Sequence, residues 1–515
     1  MAPLDSARMA PARIKRLTLV AAILGSAITM LDGTIVSVAL PTIQRSLGGG
    51  LAGQQWISSA YLLTLGSLIL VGGSLGDIFG ERRVFALGVG GFGLASVLCA
   101  LSPTIGVLTA ARALQGVAGA LLMPGSLAVI AATFTDEERG AAIGTWTAFG
   151  AIATVIGPLA GGELLALASW RWLFVINVPV VVTCLALILT AIPRAQPSQL
   201  PRRRLDLPAA LLCAAGLAGV VFGLIEAPRL GWSSTPIVVA TVGGALLFGA
   251  FLARERLARD PMLPLTIFRR ANFAAANIET FAVYAALAVF FFFLVLFLQQ
   301  VAAYSPLRSG LAMLPVTVVM FCLARYAGRL SARFGPRLFM SAGPLLAAAG
   351  LLLALRIGAN PDYLSDLLPA VLVFALGLAL TVAPLTTTVL AGVESAGAGI
   401  ASAVNNAVAR VAGLLATAGV GAIAAAHFSA VLHERLGGVA LGGAERRAVA
   451  AAEHLVLGRP SVAGLPRAAG GAIVRAADSA SLASFHLAIA IAAALLAVGA
   501  AVGLAGIRNP PPSSG

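Results

Sequence analysis

The chain has 515 residues, 59% of them hydrophobic and only 10% charged, with a formal net charge of +14 and a mean hydropathy of +0.97. Soluble domains run near about 25% charged, so a water-soluble core is excluded and an all-α integral membrane protein that crosses the bilayer many times is implied. The basic excess would point to nucleic acid in a soluble protein, but here the arginines lie mostly in loops, where membrane topology accounts for them.

Arg13, Lys15 and Arg16 precede an apolar run that reaches Ala39 and contains Asp32. The run is too long for a cleavable signal and has no small-residue cleavage site in the right place, so it reads as a retained first helix. One crossing needs about 20 apolar residues. Fourteen such runs lie in order near 17–39, 54–76, 84–101, 105–131, 141–168, 172–193, 207–226, 236–253, 272–298, 308–324, 338–356, 366–390, 398–427 and 482–507.

Between the second and third runs stands Gly73-Ser-Leu75-Gly-Asp77-Ile78-Phe79-Gly80-Glu81-Arg82-Arg83. A related turn, Gly328-Arg-Leu330-Ser-Ala332-Arg-Phe334-Gly335-Pro-Arg337, follows the tenth, with five identities at a constant offset of 255 residues. A duplicated half carrying the same turn is how many secondary transporters are built. The predicted organisation is a tail (1–16), a six-helix half (17–193), an insertion of two spans (194–271), a second six-helix half (272–507) and a second tail (508–515). The insertion is entered through Pro201-Arg202-Arg203-Arg204 and left through the basic stretch 254–270. Loop 428–480 is predicted to be external and partly helical.

Of the 34 lysines and arginines, two (Arg112, Arg410) fall in the interior of predicted spans and 21 lie on the side of the N-terminus; outside loop 428–480, five lie on the other side, two of them (Arg308, Arg356) at span ends. That asymmetry places both termini in the cytoplasm.

Charges inside spans are costly and normally face a cavity or a partner. Asp32 and Arg112 each lie seven or eight residues from the outer end of their spans, about 11 Å at 1.5 Å per residue, hence at similar depth. Two readings follow: a protonatable group whose proton affinity Arg112 sets, or a structural ion pair joining spans 1 and 4. Glu279, some seven residues into span 9, is a second candidate proton site or a side chain reaching the cytoplasmic interface. Arg410 lies deep in span 13 beside Asn405 and Asn406 and suits an anionic group or backbone carbonyls. Gly157, Pro158, Gly161 and Gly162 bring helix backbones close and introduce a kink. Cys99, Cys184, Cys213 and Cys322 lie in apolar runs, and His427, His433, His454 and His486 lack ligand spacing, so no disulfide framework, metal site or cofactor is expected.

These segments resemble the major facilitator superfamily, and within it the fourteen-helix proton-coupled drug antiporters, over essentially the whole length. Leu31-Asp32-Gly33-Thr34-Ile35-Val36-Ser37-Val38-Ala39-Leu40-Pro41 resembles the first-helix signature, and Gly73–Arg83 that of the loop between helices 2 and 3. Arg112-Ala-Leu-Gln115-Gly116 resembles the arginine motif of helix 4. Gly150 through Gly157-Pro158-Leu-Ala-Gly161-Gly162 resembles the exporter-associated antiporter motif, and Trp170–Pro179 the segment entering helix 6. Two positions depart: Ile78 stands where a basic residue is usual, and Ala332 replaces the acid of the second copy.

The resemblance implies a major facilitator fold and a transporter, not an enzyme, that exports amphipathic drugs or antibiotics against protons by alternating access. Asp32, Arg112 and Glu279 are its candidate proton-coupling residues; Asp77, Arg82, Arg83 and Arg139 its cytoplasmic gate, with Asp77 capping a helix or pairing with Arg139. Gln115, Asn405, Asn406 and Arg410 are candidate lining residues of a substrate cavity between the halves. The partners expected are a small amphipathic molecule, protons and the lipid of the cytoplasmic membrane. An ATP-driven pump is disfavoured because Lys15 is the only lysine and no phosphate-binding loop surrounds it. The alternatives are export of one endogenous metabolite, such as a self-made antibiotic, or a non-transporting sensor.

Overall fold

Lipid offers no partner to backbone N–H and C=O groups, so a chain this apolar must satisfy them within helices. The computed structural model describes residues 11–192, 206–258, 261–391, 398–437, 439, 441–453, 455–458 and 460–509, and among these there is no strand. The helices are α1 (Ala12–Leu47), α2 (Gly50–Phe79), α3 (Glu81–Leu101), α4 (Ile105–Thr133), α5 (Asp136–Leu167), α6 (Trp172–Val175), α7 (Asn177–Ala191), α8 (Leu207–Leu230) and α9 (Thr235–Leu257). They continue as α10 (Ala271–Gln300), α11 (Pro306–Phe334), α12 (Pro336–Ala354), α13 (Leu368–Ala391), α14 (Ala398–Leu436), α15 (Gly443–Glu453) and α16 (Arg467–Gly506). Thirteen helical stretches among the described residues are long and apolar enough to cross a membrane. The remaining predicted span, 141–168, falls on α5, itself 32 residues long.

Three boundaries differ from the sequence reading. The tenth span does not stop at 324 but runs on to Phe334, so Arg325, Arg329 and Arg333 are helical rather than loop residues. Most of 428–480 is helix: α14 extends to Leu436, α15 follows, and α16 starts at Arg467. Alanine has the highest helix propensity, and these stretches are rich in it. The sixth span is interrupted at Ile176 between α6 and α7, and Pro179, which lacks an N–H, falls in the first turn of α7, where no intrahelical bond is lost. The Pro201–Arg204 entry to the insertion, His454 and the outer parts of both tails lie outside the described residues.

The chain forms two compact units. The first takes residues up to Leu47, Trp56–Ala218 and Leu246–Met262; the second takes Gly48–Gln55, Gly219–Ala245 and everything from Leu263. In the first, α1 packs on α4, α5 and α7, and α3 packs on α4 and α7. In the second, α10 packs on α13, α14 and α16, and α12 packs on α13 and α16. These packings correspond when α1, α3, α4, α5 and α7 are matched to α10, α12, α13, α14 and α16, and in the second unit α14 packs on α16 as well. The match extends to α2 and α11: α2 meets α4 where a Cβ on Gly72 or Gly116 would collide with the facing backbone, and α11 lies on α13. Close approach through small residues, not hydrophobic drive, is what binds helices in lipid.

The duplicated turn is built identically in both units. Gly80, before α3, has φ 91°, and Gly335, before α12, has φ 87°. Only glycine adopts that left-handed backbone without strain. No side chain caps α3 at Gly80, so Asp77 does not serve as that helix's cap.

Candidate functional site

The first unit encloses a polar knot built by five helices, α1, α2, α3, α4 and α7. Asp32 of α1 is fully buried at 0% exposure and Arg112 of α4 at 1%, and the two form an ion pair. Arg112 and Gln115 lie three residues apart, hence on one face of α4, and Arg112 Nη1 also donates to Gln115 Oε1 at 2.6 Å. Arg112 Nε donates to the Ile57 carbonyl at 3.2 Å, and the guanidinium lies 4.4 Å above the Tyr61 ring. Gln115 Nε2 donates to Asp32 Oδ1 at 3.0 Å and to Ser96 Oγ at 2.9 Å. Asn177, at the start of α7, reaches the same two groups: Asp32 Oδ1 at 3.4 Å and Ser96 Oγ at 3.0 Å.

The sequence reading brought Asp32 and Arg112 together, and they meet. Gln115, expected to line a substrate cavity, is instead buried as a bridge inside the pair's own network. Ser96, Asn177 and Tyr61 went unnoticed. Asn177 stands in the quoted helix-6 segment, whereas Ser96 and Tyr61 are single polar residues in apolar runs and carry no pattern.

The turn of α1 holding Asp32 is also the turn that α5 grips. A Cβ on Gly157 would collide with Thr34 Oγ1, and one on Gly161 with the Ile35 side chain. Thr34 Oγ1 donates to the Leu31 carbonyl at 3.0 Å, within this same turn. Gly161 and Gly162 are buried and Pro158 half-buried along that contact. Asp32 faces α4 while residues 31, 34 and 35 face α5, so the ion pair and the glycine contact share one turn of α1.

The residues of the duplicated turn separate. Asp77 and Arg83 are exposed. Arg139 donates to the Ala131 carbonyl at 3.1 Å, across the turn between α4 and α5. Arg82 reaches α7, donating from Nε to the Ile188 carbonyl at 3.2 Å and from Nη2 to the Leu189 carbonyl at 2.6 Å.

In the second unit Glu279 does not reach an interface. It is fully buried in α10 against Gly499 and Gly503 of α16, and neither carboxyl oxygen has a hydrogen-bond partner among the described residues. Asn405 is held by α10, donating to Asn277 Oδ1 at 3.2 Å and Thr280 Oγ1 at 2.7 Å. Asn406 is exposed and donates to the Ser402 carbonyl at 2.9 Å. Arg410 is half-buried one turn after Asn406 on the same face of α14. Adjacent residues of a helix point about 100° apart, so Asn405 and Asn406 serve different surroundings. No cluster of three or more metal-ligating side chains occurs among the described residues.

Residues 22–417 match the sequence profile of the Major Facilitator Superfamily. The chain is 38% identical over 401 residues to a puromycin resistance protein of Streptomyces alboniger, covering 76% of this chain and 78% of that one. It is 32% identical over 489 residues to a tetracenomycin C resistance and export protein of Streptomyces glaucescens, covering 95% and 90%. In three dimensions it resembles a bacterial homologue of the human lysosomal transporter Spinster, with a TM-score of 0.65 at 17% identity over 97% of this chain and 100% of that one. The xylose transporter XylE of E. coli gives 0.58 at 14% identity, over 97% and 98%.

Proposed function

This chain belongs to the Major Facilitator Superfamily, a family of transporters and not of enzymes, and from that premise we propose that it exports amphipathic drugs or antibiotics across the cytoplasmic membrane in exchange for protons. The observation that carries the reading is Asp32: a carboxylate in a spanning helix, paired with Arg112 and on the same turn as the α5 glycine contact.

A proton on Asp32 cancels the charge that holds Arg112. Arg112 then keeps Gln115 Oε1, the Ile57 carbonyl and the Tyr61 ring as partners, while Gln115 and Asn177 lose the charge they donate to. The turn 30–35 of α1 can then repack against Gly157 and Gly161. Protonated and unprotonated forms thus favour different packings, which is what coupling requires, since a ligand shifts an equilibrium only by its differential affinity. Glu279 is the second proton site, placed where α10 meets α16. Asp77, Arg83 and Arg139 act at the cytoplasmic gate, whereas Arg82 is tied to α7 inside its own unit. Asn406 and Arg410 are the substrate-contacting candidates with accessible surface; Gln115 and Asn405 enter only if their internal bonds open. Residues 17–193 and 272–507 are the transporting halves, 194–271 the insertion, and both termini are cytoplasmic, as the arginine asymmetry favours.

A second reading is export of one self-made metabolite. Its support is the name of the Streptomyces glaucescens relative, which pairs resistance with export of a single compound and aligns over nearly the whole chain.

The test is substrate-driven proton movement in everted vesicles, read by recovery of a quenched acridine dye, with Asp32→Asn compared at equal protein. Recovery by a panel of amphipathic antibiotics that vanishes in the variant is the expected outcome. Undiminished recovery in the variant would remove Asp32 from coupling and turn attention to Glu279→Gln. Recovery with one compound alone would favour the single-metabolite reading.

A further inference from the structure

Arg325, Arg329 and Arg333 follow one another along α11 at four-residue intervals, all exposed. At about 100° per residue each step turns by about 40°, so the three guanidinium stems rise in one line on one face of the helix. One to two turns earlier the same line carries Val318 and Phe321, exposed at 52% and 66%. Tyr326 stands beside the arginines: Arg325 Nη2 donates to its hydroxyl at 2.9 Å, and the guanidinium groups of Arg325 and Arg329 lie 4.8 and 5.0 Å from its ring. Among the described residues none of the three arginines has an acidic partner.

The internal repeat supplies a control. Counting back 255 residues, the same positions of α2 hold Leu70, Ser74 and Ile78. The first copy therefore builds this helix without charge at the positions of Arg325 and Arg329; the third, Ile78, stands where a basic residue is usual and is no control for Arg333. Guanidinium groups without an acidic partner on an exposed face of a spanning helix are stabilised by an anion or by the headgroup layer. Apolar side chains nearer the helix middle, followed by three cations toward its end, repeat the order of a phospholipid: acyl chain, then phosphate.

We infer that this face of α11 binds an anionic phospholipid, with the phosphate on Arg325, Arg329 and Arg333 and an acyl chain along Val318 and Phe321. Tyr326 holds the upper two arginines in line. The orientation proposed above puts this lipid in the cytoplasmic leaflet; only the choice of leaflet rests on that reading.

The test uses the purified full chain in neutral detergent and measures binding of phosphatidylglycerol and phosphatidylcholine by thermal shift and by retained lipid. The triple variant R325L/R329S/R333I imports the residues of the first copy. The expected result is a stabilisation by phosphatidylglycerol that exceeds that by phosphatidylcholine, shrinks at high salt, and is weakened roughly tenfold or more in affinity by the triple variant. Equal phosphatidylglycerol binding by intact chain and variant overturns the inference. So does full competition by soluble glycerol phosphate, which would mean a site for a small anion and not for a lipid. If the triple variant does not fold, Arg329→Ser alone must lower the affinity while R325K/R329K/R333K keeps the lipid preference; failure of either is equally decisive. Lipid retention needs no transport, so it stands or falls apart from the export reading.

Discussion

Arg82 and Arg337 do the same work 255 residues apart. Each follows the glycine that opens its helix, and each donates to backbone carbonyls at the C-terminal end of a matched helix, α7 or α16: Arg82 to Ile188 and Leu189 of α7, Arg337 Nε to Leu504 of α16 at 2.7 Å. Carbonyls in the last turn of a helix mostly lack an intrahelical partner and carry its negative pole, so a guanidinium is favoured there. The most conspicuous identity of the repeat is therefore a clamp inside each unit.

This clamp gives the first prediction. Hydrogen bonds to charged groups contribute about 1.5–3 kcal/mol, discounted here because both arginines are partly exposed. Arg82→Ala and Arg337→Ala should each lower Tm in detergent by a few degrees, with Arg82→Lys rescuing only in part because an ammonium lacks the planar fork. Loss of transport in Arg82→Ala at unchanged Tm would instead make Arg82 a pure gate residue.

The Asp32–Arg112 pair behaves differently, because both groups are sealed from solvent. Removing one partner leaves an uncompensated buried charge, at a cost of about 3–5 kcal/mol. Arg112→Gln should therefore sharply reduce the folded yield, and D32N/R112Q should recover most of it without recovering antiport. Size-exclusion profiles and dye recovery, measured on the same preparations, separate the two effects. A double variant no better folded than Arg112→Gln would mean that the pair is not energetically coupled.

The α1–α5 contact predicts unequal tolerance among glycines. Gly157→Ala drives its methyl into Thr34 and should impair both stability and export, and Thr34→Ala in the same chain should relieve much of the damage by removing the nearest atom. Gly144→Ala, on the same helix but with nothing within 4 Å, should be neutral or slightly stabilising. Equal effects of the two alanines would contradict the packing described.

A pH dependence is expected before α13. Asp362 accepts hydrogen bonds from the Ser365 amide at 2.9 Å and the Leu364 amide at 3.0 Å. The Ser365 amide first, then its hydroxyl, hold the Asp362 carboxyl below the usual aspartate value. A depressed carboxylate contributes stability that is fully present above its unfolded value, about 3.9, and is lost as pH falls through the lower folded value. The Tm gap between the intact chain and Asp362→Ala should be open near neutral pH and close in the acid range below about 3.9. A gap that stays constant across that range would show that the cap does not depend on charge.

How much of this was written in the sequence follows from what lipid allows. Apolar runs of about 20 residues dictate spanning helices because nothing else satisfies the backbone there, so the all-α class and the repeat at Gly80 and Gly335 were legible from Met1 to Gly515. A charge inside such a run is conspicuous, and this singled out Asp32, Arg112 and Glu279. Partners are another matter. Ser96 and Asn177 complete the Asp32 site from helices more than sixty residues away in the chain, and no local pattern announces a hydroxyl or amide that bonds at such distance. The same holds for Arg82, whose carbonyl acceptors lie 106 and 107 residues onward, and for Glu279, whose burial depends on two glycines of α16. The amino-acid order determined which segments enter the membrane and which charges go with them. Tertiary packing decided which of those charges are neutralised, which are sealed in without a partner, and which, like Arg325, Arg329 and Arg333, are left exposed.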